Sequence, residues 1–86
     1  MYQIIFSKHA AKHRALLKQA GLEAKARALL ALLSDNPFQA PPPYEKLVGD
    51  LKNAFSRRLN RQHRLVYMVD EQQKIVKILS MWTHYQ

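Results

Sequence analysis

The spacing of hydrophobic and polar positions along this chain predicts helices in its first half and strands in its second. Residues 2–6, YQIIF, are mostly β-branched or aromatic and predict a short strand before the helices. Residues 8–19 carry apolar side chains at helical spacing, with Ser7 as the N-cap and Gly21 as the terminator. The apolar positions of this helix are Ala11, Ala15 and Leu16, and its solvent side carries Lys8, Lys12 and Lys18.

A second helical pattern covers residues 22–34, and the sequence DNP at residues 35–37 ends it. Its apolar stripe consists of Leu22, Ala26, Leu29, Leu30 and Leu33. Together the two segments predict a helical hairpin.

A proline-rich segment, NPFQAPPPY at residues 36–44, follows the helices. Its prolines exclude regular structure, so it predicts a stiff extended connection that delivers Glu45 to a fixed place. Beyond it, residues 44–51 predict an edge strand broken at Gly49. Residues 55–60 and 63–69 predict a hairpin with a connection of about two to three residues at Arg61 and Gln62. The last strand covers residues 74–85.

The element order β-α-α-β-β-β predicts an α+β fold of two layers, with the N-terminal strand and helical hairpin packed on a mainly antiparallel sheet. A chain of 86 residues is predicted to form a single domain over residues 1–86.

Alternation along the predicted strands sorts their side chains onto two faces. In the strand at residues 63–69, one face carries His63, Leu65, Tyr67 and Val69. The opposite face carries Arg64, Val66 and Met68, so Arg64 begins an otherwise apolar row. In the last strand, Met81 and Tyr85 are predicted to lie opposite Val76, Ile78 and His84. A site shared by His84 and Tyr85 therefore requires the end of the chain to turn.

Composition narrows the possible chemistry and partners. The chain has no cysteine, which excludes disulfides, thiolate metal sites and a cysteine nucleophile. No apolar run reaches the length of about 18 residues that a membrane span requires, so a cytoplasmic protein without membrane contact is expected. A net charge of +8 predicts a polyanionic partner such as nucleic acid. Between Asp50 and Asp70 the chain carries no acid but six basic or histidine residues: Lys52, Arg57, Arg58, Arg61, His63 and Arg64.

A carboxylate, an arginine, a histidine and a tyrosine are together sufficient for RNA cleavage without a metal or cofactor. Glu45 can take the proton of the RNA 2′-hydroxyl, and the guanidinium of Arg64 can bind the phosphorane that forms. His84 can protonate the departing 5′-oxygen, and Tyr85 can orient the phosphate or stack on a base. The products of this reaction are a 2′,3′-cyclic phosphate and a 5′-hydroxyl.

Each of these residues also has an interpretation without catalysis. Glu45 after a proline-rich loop is compatible with a solvated side chain, and Arg64 with an ion pair to Asp50 or Asp70. His84 is compatible with an exposed chain end, and Tyr85 with packing. His9 and His13 have the spacing of a zinc-binding pair, but no third ligand is nearby in the sequence, so a surface helix is the preferred interpretation.

The segments PPPYEKLVGDLKNAFSRRLNRQHRLVYMV and MWTHYQ resemble the Txe/YoeB family of bacterial toxin–antitoxin toxins, within the RelE-like superfamily. The motifs SRR at residues 56–58, HRLVY at 63–67 and the terminal HY match this family in order and spacing. The resemblance implies a RelE-like fold and an endoribonuclease that cuts messenger RNA in the A site of the 70S ribosome. It also implies inhibition by a cognate YefM/Phd-type antitoxin.

The same resemblance assigns roles to individual positions. It places the catalytic glutamate at Glu45, the transition-state arginine at Arg64, and the terminal histidine and tyrosine at His84 and Tyr85. Arg58 matches a position that holds substrate phosphate. Further contacts to messenger RNA or 16S rRNA are expected from Arg57, Lys46, Lys52, Arg61 and His63, of which His63 is alternatively structural. Two departures from the family pattern are Lys46, where some members have proline, and the additional Gln86.

Two other classes of function remain open from the sequence. One is a nucleic-acid-binding module without catalysis that uses the same basic face. The other is a RelE-like protein that serves only as antitoxin partner and corepressor. The sequence equally leaves open a monomer or a homodimer.

Overall fold

The computed structural model describes residues 1–48 and 53–82, and all structural statements refer to these residues. The elements in chain order are β1 (Gln3–Phe6), α1 (Lys8–Gln19), α2 (Glu23–Asp35), β2 (Glu45–Lys46), β3 (Ala54–Arg58), β4 (Arg64–Asp70) and β5 (Ile75–Ser80). The predicted α+β class and the helical hairpin are confirmed, and the proline-rich segment contains neither helix nor strand.

The first helix begins where its sequence signal predicts. The Ser7 hydroxyl accepts a hydrogen bond from the Ala10 N–H at 3.0 Å and donates one to the Leu79 carbonyl at 3.1 Å. The cap therefore also ties the helix to the last strand. Gly21 has a φ of +73°, a left-handed conformation that favours glycine and lets the chain turn into α2.

The buried side of α1 differs from the prediction. Ala10, His13 and Leu17 are buried, whereas Ala11 and Ala15 are exposed. The prediction failed because the buried stripe contains a histidine, which reads as polar in a hydrophobicity pattern. In α2, by contrast, the predicted stripe is confirmed, with Ala26 and Leu33 buried and Leu29 and Leu30 packed against the core.

The sheet has five strands in the order β1-β5-β4-β3-β2. β1 pairs with β5 in parallel and the other pairs are antiparallel, so β2 is an edge strand as predicted. Helix α1 contacts β5 and β1, and α2 contacts β1. The core between the layers includes Leu17, Leu33, Leu65, Tyr67, Val76 and Ile78. The opposite face of β2, β3 and β4 is the one that carries the candidate site.

A β-bulge changes the alternation at the end of β5. Val66 pairs with Ser80 but Tyr67 pairs with Ile78, which leaves Leu79 as an extra residue. Because an extra residue reverses which face the following side chains occupy, Met81 joins the core and is only 1% exposed. The prediction that Met81 lies opposite Val76 and Ile78 is therefore wrong.

The β3–β4 hairpin is confirmed, but its connection is longer than predicted and spans residues 59–63. The Asn60 side-chain oxygen accepts hydrogen bonds from the backbone N–H groups of Gln62 and His63, at 2.9 and 2.7 Å. With this connection, Arg58 pairs with Arg64. Within the described ranges, no helix combines the length and apolar character that a membrane crossing needs.

Candidate functional site

Strand pairing brings Glu45, Ser56, Arg58 and Arg64 onto one face of the sheet. Glu45 pairs directly with Ser56, and Arg58 pairs with Arg64. Directly paired residues share a face, and so do residues two apart on one strand, so all four side chains lie on the same side. Leu65 and Tyr67 on the alternate positions face the helices. The candidate site is therefore on the face away from the helices.

Arg64 is held at the centre of this face by two contacts. Its Nε donates a hydrogen bond of 2.7 Å to the Ser56 hydroxyl, and its Nη2 lies 3.3 Å from Oε1 of Glu45. The Arg64 side chain is 20% exposed and that of Glu45 is 70% exposed, so the carboxylate is open to a ligand while the guanidinium is held. The observed carboxylate partner of Arg64 is thus Glu45, which was not one of the two ion-pair partners considered from the sequence, and of those two Asp50 lies outside the described residues. Asp70 instead accepts hydrogen bonds from the backbone of Gln72 and Gln73.

An exposed ion pair of this kind contributes little to stability, about 0–1 kcal/mol. Its geometry nevertheless suits a reaction at phosphate. The carboxylate can accept a proton, and a guanidinium can present two parallel N–H groups to an oxyanion. The site thus combines a proton acceptor and an anion-binding group within contact distance.

Strand β4 also holds the backbone of Trp82 beside Arg64. The Arg64 backbone N–H donates a hydrogen bond of 3.0 Å to the carbonyl of Trp82. Trp82 is the last described residue. The roles predicted for His84, Tyr85 and Lys52 fall on residues outside the described ranges and stay predictions.

Three of the remaining predicted RNA-binding residues are exposed. Arg58 lies on the site face opposite Arg64, and Arg61 lies in the β3–β4 connection. Lys46 follows Glu45 in β2 but pairs with Phe55, so it belongs to the opposite face of the sheet. Arg58 therefore lies on the same face as the Glu45–Arg64 pair, whereas Lys46 is on the other face and Arg61 is in the β3–β4 connection.

Two predicted RNA contacts do not fit the structure. Arg57 is only 1% exposed, and its guanidinium donates to buried oxygen atoms of the protein, so the predicted contact to RNA is wrong. His63 is 5% exposed, and its ring stacks on Trp82 with centroids 3.9 Å apart. For His63 the structural alternative therefore fits. Both residues lie on the helix side of the sheet, where the alternation already placed His63.

One of the two histidines of α1, His13, has a structural role. His13 is buried rather than on the surface, and its Nδ1 accepts a hydrogen bond of 3.0 Å from the Met81 N–H. Burial, and secondarily the nearby His9, lowers the pKa of His13 below its usual value of 6.5. Among the described residues, no group of three or more histidine or carboxylate side chains could hold a metal ion.

The buried His13 predicts a pH-dependent stability. Since its pKa is lower in the folded state, the free energy of unfolding is unaffected well above pH 6.5 and falls as the pH drops below it. Protonation of Nδ1 removes the acceptor for Met81, at a cost of roughly 1 kcal/mol. Urea denaturation at neutral and acidic pH should show this loss in the wild type and a smaller loss in His13→Asn, which retains an acceptor. The control, His9→Asn, should retain most of the pH dependence of the free energy of unfolding. If His13→Asn lost as much stability at acidic pH as the wild type does, protonation of His13 would not be the cause.

Ser56 is the site residue to which sequence reasoning gave no role. The available signal was its position in SRR, two residues before Arg58 and thus on the same face of a strand. Its partner became visible only with the register of β3 against β4.

The contact between Ser56 and Arg64 predicts a loss of activity in Ser56→Ala. The guanidinium plane would lose the acceptor that orients it, so the rate of the RNA cleavage implied by the family resemblance should fall by about tenfold while the fold is retained, comparable to the loss of one hydrogen bond. Ser34→Ala is a control for the loss of a serine hydroxyl, since the Ser34 hydroxyl donates a hydrogen bond of 2.8 Å to the Tyr2 carbonyl, away from the site face. Equal rates in the two variants would show that Ser56 does not orient Arg64.

The α+β fold and this basic, carboxylate-bearing sheet face together are those of a RelE-like protein. Comparisons with known proteins specify the family. The sequence model of the YoeB-like toxins of bacterial type II toxin–antitoxin systems matches residues 10–85, and the chain belongs to this family.

Individual relatives agree with this assignment. The chain is 35% identical over 71 residues to the toxin YoeB of Synechocystis sp., covering 83% of this chain and 73% of the relative. It is also similar to the YoeB dimer of Staphylococcus aureus, with 33% identity, a TM-score of 0.82 and 98% of each chain covered. For the YoeB–YefM complex from the same organism, identity is 33%, the TM-score is 0.81 and 99% of each chain is covered.

Proposed function

We propose that this chain is an mRNA endoribonuclease that acts on the translating ribosome and is held inactive by a cognate antitoxin. The observation that carries the proposal is the contact of Glu45 with Arg64 on the sheet face away from the helices. The pair supplies a base and an anion-binding group in contact with each other. The neighbouring Arg58 adds a further charge for the polyanionic substrate.

The proposed reaction is an attack of the RNA 2′-hydroxyl on the adjacent phosphorus. Glu45 takes the proton of the 2′-hydroxyl while the new oxygen–phosphorus bond forms. Arg64 stabilises the additional negative charge of the phosphorane through hydrogen bonds that strengthen as the charge develops. The bond to the 5′-oxygen then breaks, and His84 donates a proton to that oxygen. Tyr85 orients the phosphate, and the products are a 2′,3′-cyclic phosphate and a 5′-hydroxyl.

Binding to messenger RNA and 16S rRNA is proposed to use the exposed basic residues Arg58, Arg61 and Lys46, together with Lys52. Contacts of lysine and arginine to phosphates release counterions, so affinity for the ribosome should fall as salt increases. The net charge of +8 supports this mode of binding. A cytoplasmic location belongs to the proposal because the message is proposed to be cut on the translating ribosome.

The likeness to the staphylococcal YoeB–YefM complex supports a YefM/Phd-type antitoxin as the partner. An acidic segment of the antitoxin would cover the basic site face and exclude RNA by charge complementarity. The staphylococcal relative also occurs as a dimer, and a homodimer is accordingly part of the proposal.

The test of this function is cleavage of a defined message on programmed 70S ribosomes, with the fragment ends analysed chemically. We expect fragments that end in a 2′,3′-cyclic phosphate and begin with a 5′-hydroxyl, and the antitoxin should abolish their formation. Intact message despite ribosome binding would instead favour the RNA-binding module without catalysis. Fragments with a 3′-hydroxyl would exclude attack by the 2′-hydroxyl.

A further inference from the structure

Arg57 lies one residue from the site face but points to the other side of the sheet, into the proline-rich segment. Its guanidinium makes four hydrogen bonds to protein oxygen atoms. Nη1 donates to the carbonyl of Pro42 at 2.6 Å, and Nη2 donates to those of Pro37 and Gln39 at 3.1 and 2.7 Å. Nε donates to the hydroxyl of Tyr67 at 3.0 Å. Three separate carbonyls of one loop therefore converge on a single side chain.

The geometry of this cluster requires an arginine. The donors must reach four acceptors in different directions, which the planar fork of a guanidinium can do and a compact ammonium cannot. The Tyr67 hydroxyl also donates to the Pro37 carbonyl at 3.2 Å, so it links the arginine and the loop a second time. A buried charge is costly unless such hydrogen bonds compensate it. The loop carbonyls thus compensate the buried charge of Arg57, and the Arg57 guanidinium supplies their hydrogen-bond donors.

The loop held by Arg57 leads directly to Glu45. Pro42 is three positions before Glu45 in the chain. Tyr44 directly precedes Glu45, and the centroid of its ring lies 4.7 Å from the Arg57 guanidinium carbon. The Tyr44 ring also packs edge-on against Phe55 at 5.7 Å. Strand β2 itself comprises only Glu45–Lys46 at the edge of the sheet. One backbone hydrogen bond, from the Leu47 N–H to the Ala54 carbonyl at 2.9 Å, extends the pairing of β2 with β3, and the preceding loop holds Glu45 from its other side.

We propose that Arg57 is a positioning residue, which fixes the proline-rich segment and thereby places the Glu45 carboxylate against Arg64. The inference rests on the proposed function, in which Glu45 is the general base. It adds that Arg57, a buried residue without access to RNA, determines the position of the Glu45 carboxylate. The Arg57 guanidinium binds backbone carbonyls of the loop, and it influences the reaction only by positioning Glu45.

The test is a double-mutant cycle on the single-turnover rate constant for message cleavage at saturating ribosomes. Arg57→Lys should lower this rate constant by tenfold to about a hundredfold, as expected for a misplaced catalytic group, with ribosome affinity unchanged. In a Glu45→Gln background the same substitution should have almost no further effect, because the group it positions is already absent. Leu22→Ala, a core truncation in the helical hairpin, is the control for lost stability and should leave the rate constant of the folded protein unchanged.

Tyr67→Phe serves as a second, milder variant in case Arg57→Lys does not fold. It removes the hydroxyl that joins Arg57 to Pro37 and should lower the rate constant by a smaller factor, again without further effect beside Glu45→Gln. Additive effects with Glu45→Gln would overturn the positioning role and leave the proposed function standing. An unchanged rate constant in Glu45→Gln alone would overturn both the general base and the role of Arg57.

Discussion

Arg64→Lys is expected to lower the rate constant for cleavage of ribosome-bound message by about a hundredfold, the usual cost of removing a group that stabilises a developing oxyanion. The substitution keeps the positive charge but removes the planar pair of donors and the Nε–H that binds Ser56. Because the charge remains, affinity for the ribosome should change little. Single-turnover cleavage over a range of ribosome concentrations separates the two quantities.

The chain contains a matched control for this variant. Arg27 forms an exposed ion pair with Glu23 in α2, with 3.8 Å between Nη2 and Oε1. Arg27→Lys alters the same kind of pair away from the site face and should cleave like the wild type. If Arg64→Lys also cleaved like the wild type, Arg64 would serve only as a source of charge.

Glu45→Gln is expected to lower the same rate constant by between about a hundredfold and ten-thousandfold, the range that a positioned general base contributes. The side chain keeps its size, and as an exposed residue of a two-residue edge strand it should leave stability almost unchanged. The variant also separates catalysis from binding. An RNA-binding module would bind equally well or more tightly after the substitution, since a negative charge near the phosphates is removed.

Glu23→Gln provides the corresponding control, because it neutralises the carboxylate of the other exposed ion pair. We expect full cleavage from Glu23→Gln and a strongly reduced rate from Glu45→Gln, measured on the same ribosomes. Similar rates in both variants would assign the base to another group.

The register of the β3–β4 hairpin shows where sequence reasoning reached its limit. A two-residue connection at Arg61 and Gln62 would pair Arg58 with Leu65 and turn Arg58 towards the core. The observed connection at residues 59–63 pairs it with Arg64 instead. The prediction left two or three residues open for this connection. Which of the two closures forms depends on hydrogen bonds such as those of Asn60, which a strand pattern does not reveal.

The encounter of Glu45 with Arg64 was likewise not visible in their spacing along the chain. Their side-chain chemistry and the family resemblance indicated both residues as candidates, and in the structure Arg64 Nη2 lies 3.3 Å from Glu45 Oε1. The opposite error concerned Arg57, whose charge suggested an RNA contact. Its neighbours in sequence gave no sign of burial, because the carbonyls that receive its hydrogen bonds come from a segment 15 to 20 positions earlier.

The sequence by itself determined the class of fold, the two helices with the Ser7 cap, the prolines that separate the halves, and the basic charge. These features depend on interactions within a few residues or on composition alone, so a single chain displays them. Only the tertiary structure decided which side of α1 is buried, that the bulge turns Met81 inward, and which side chains meet at Arg64. Register and burial arise from contacts between distant segments, and a shift of one residue reverses both.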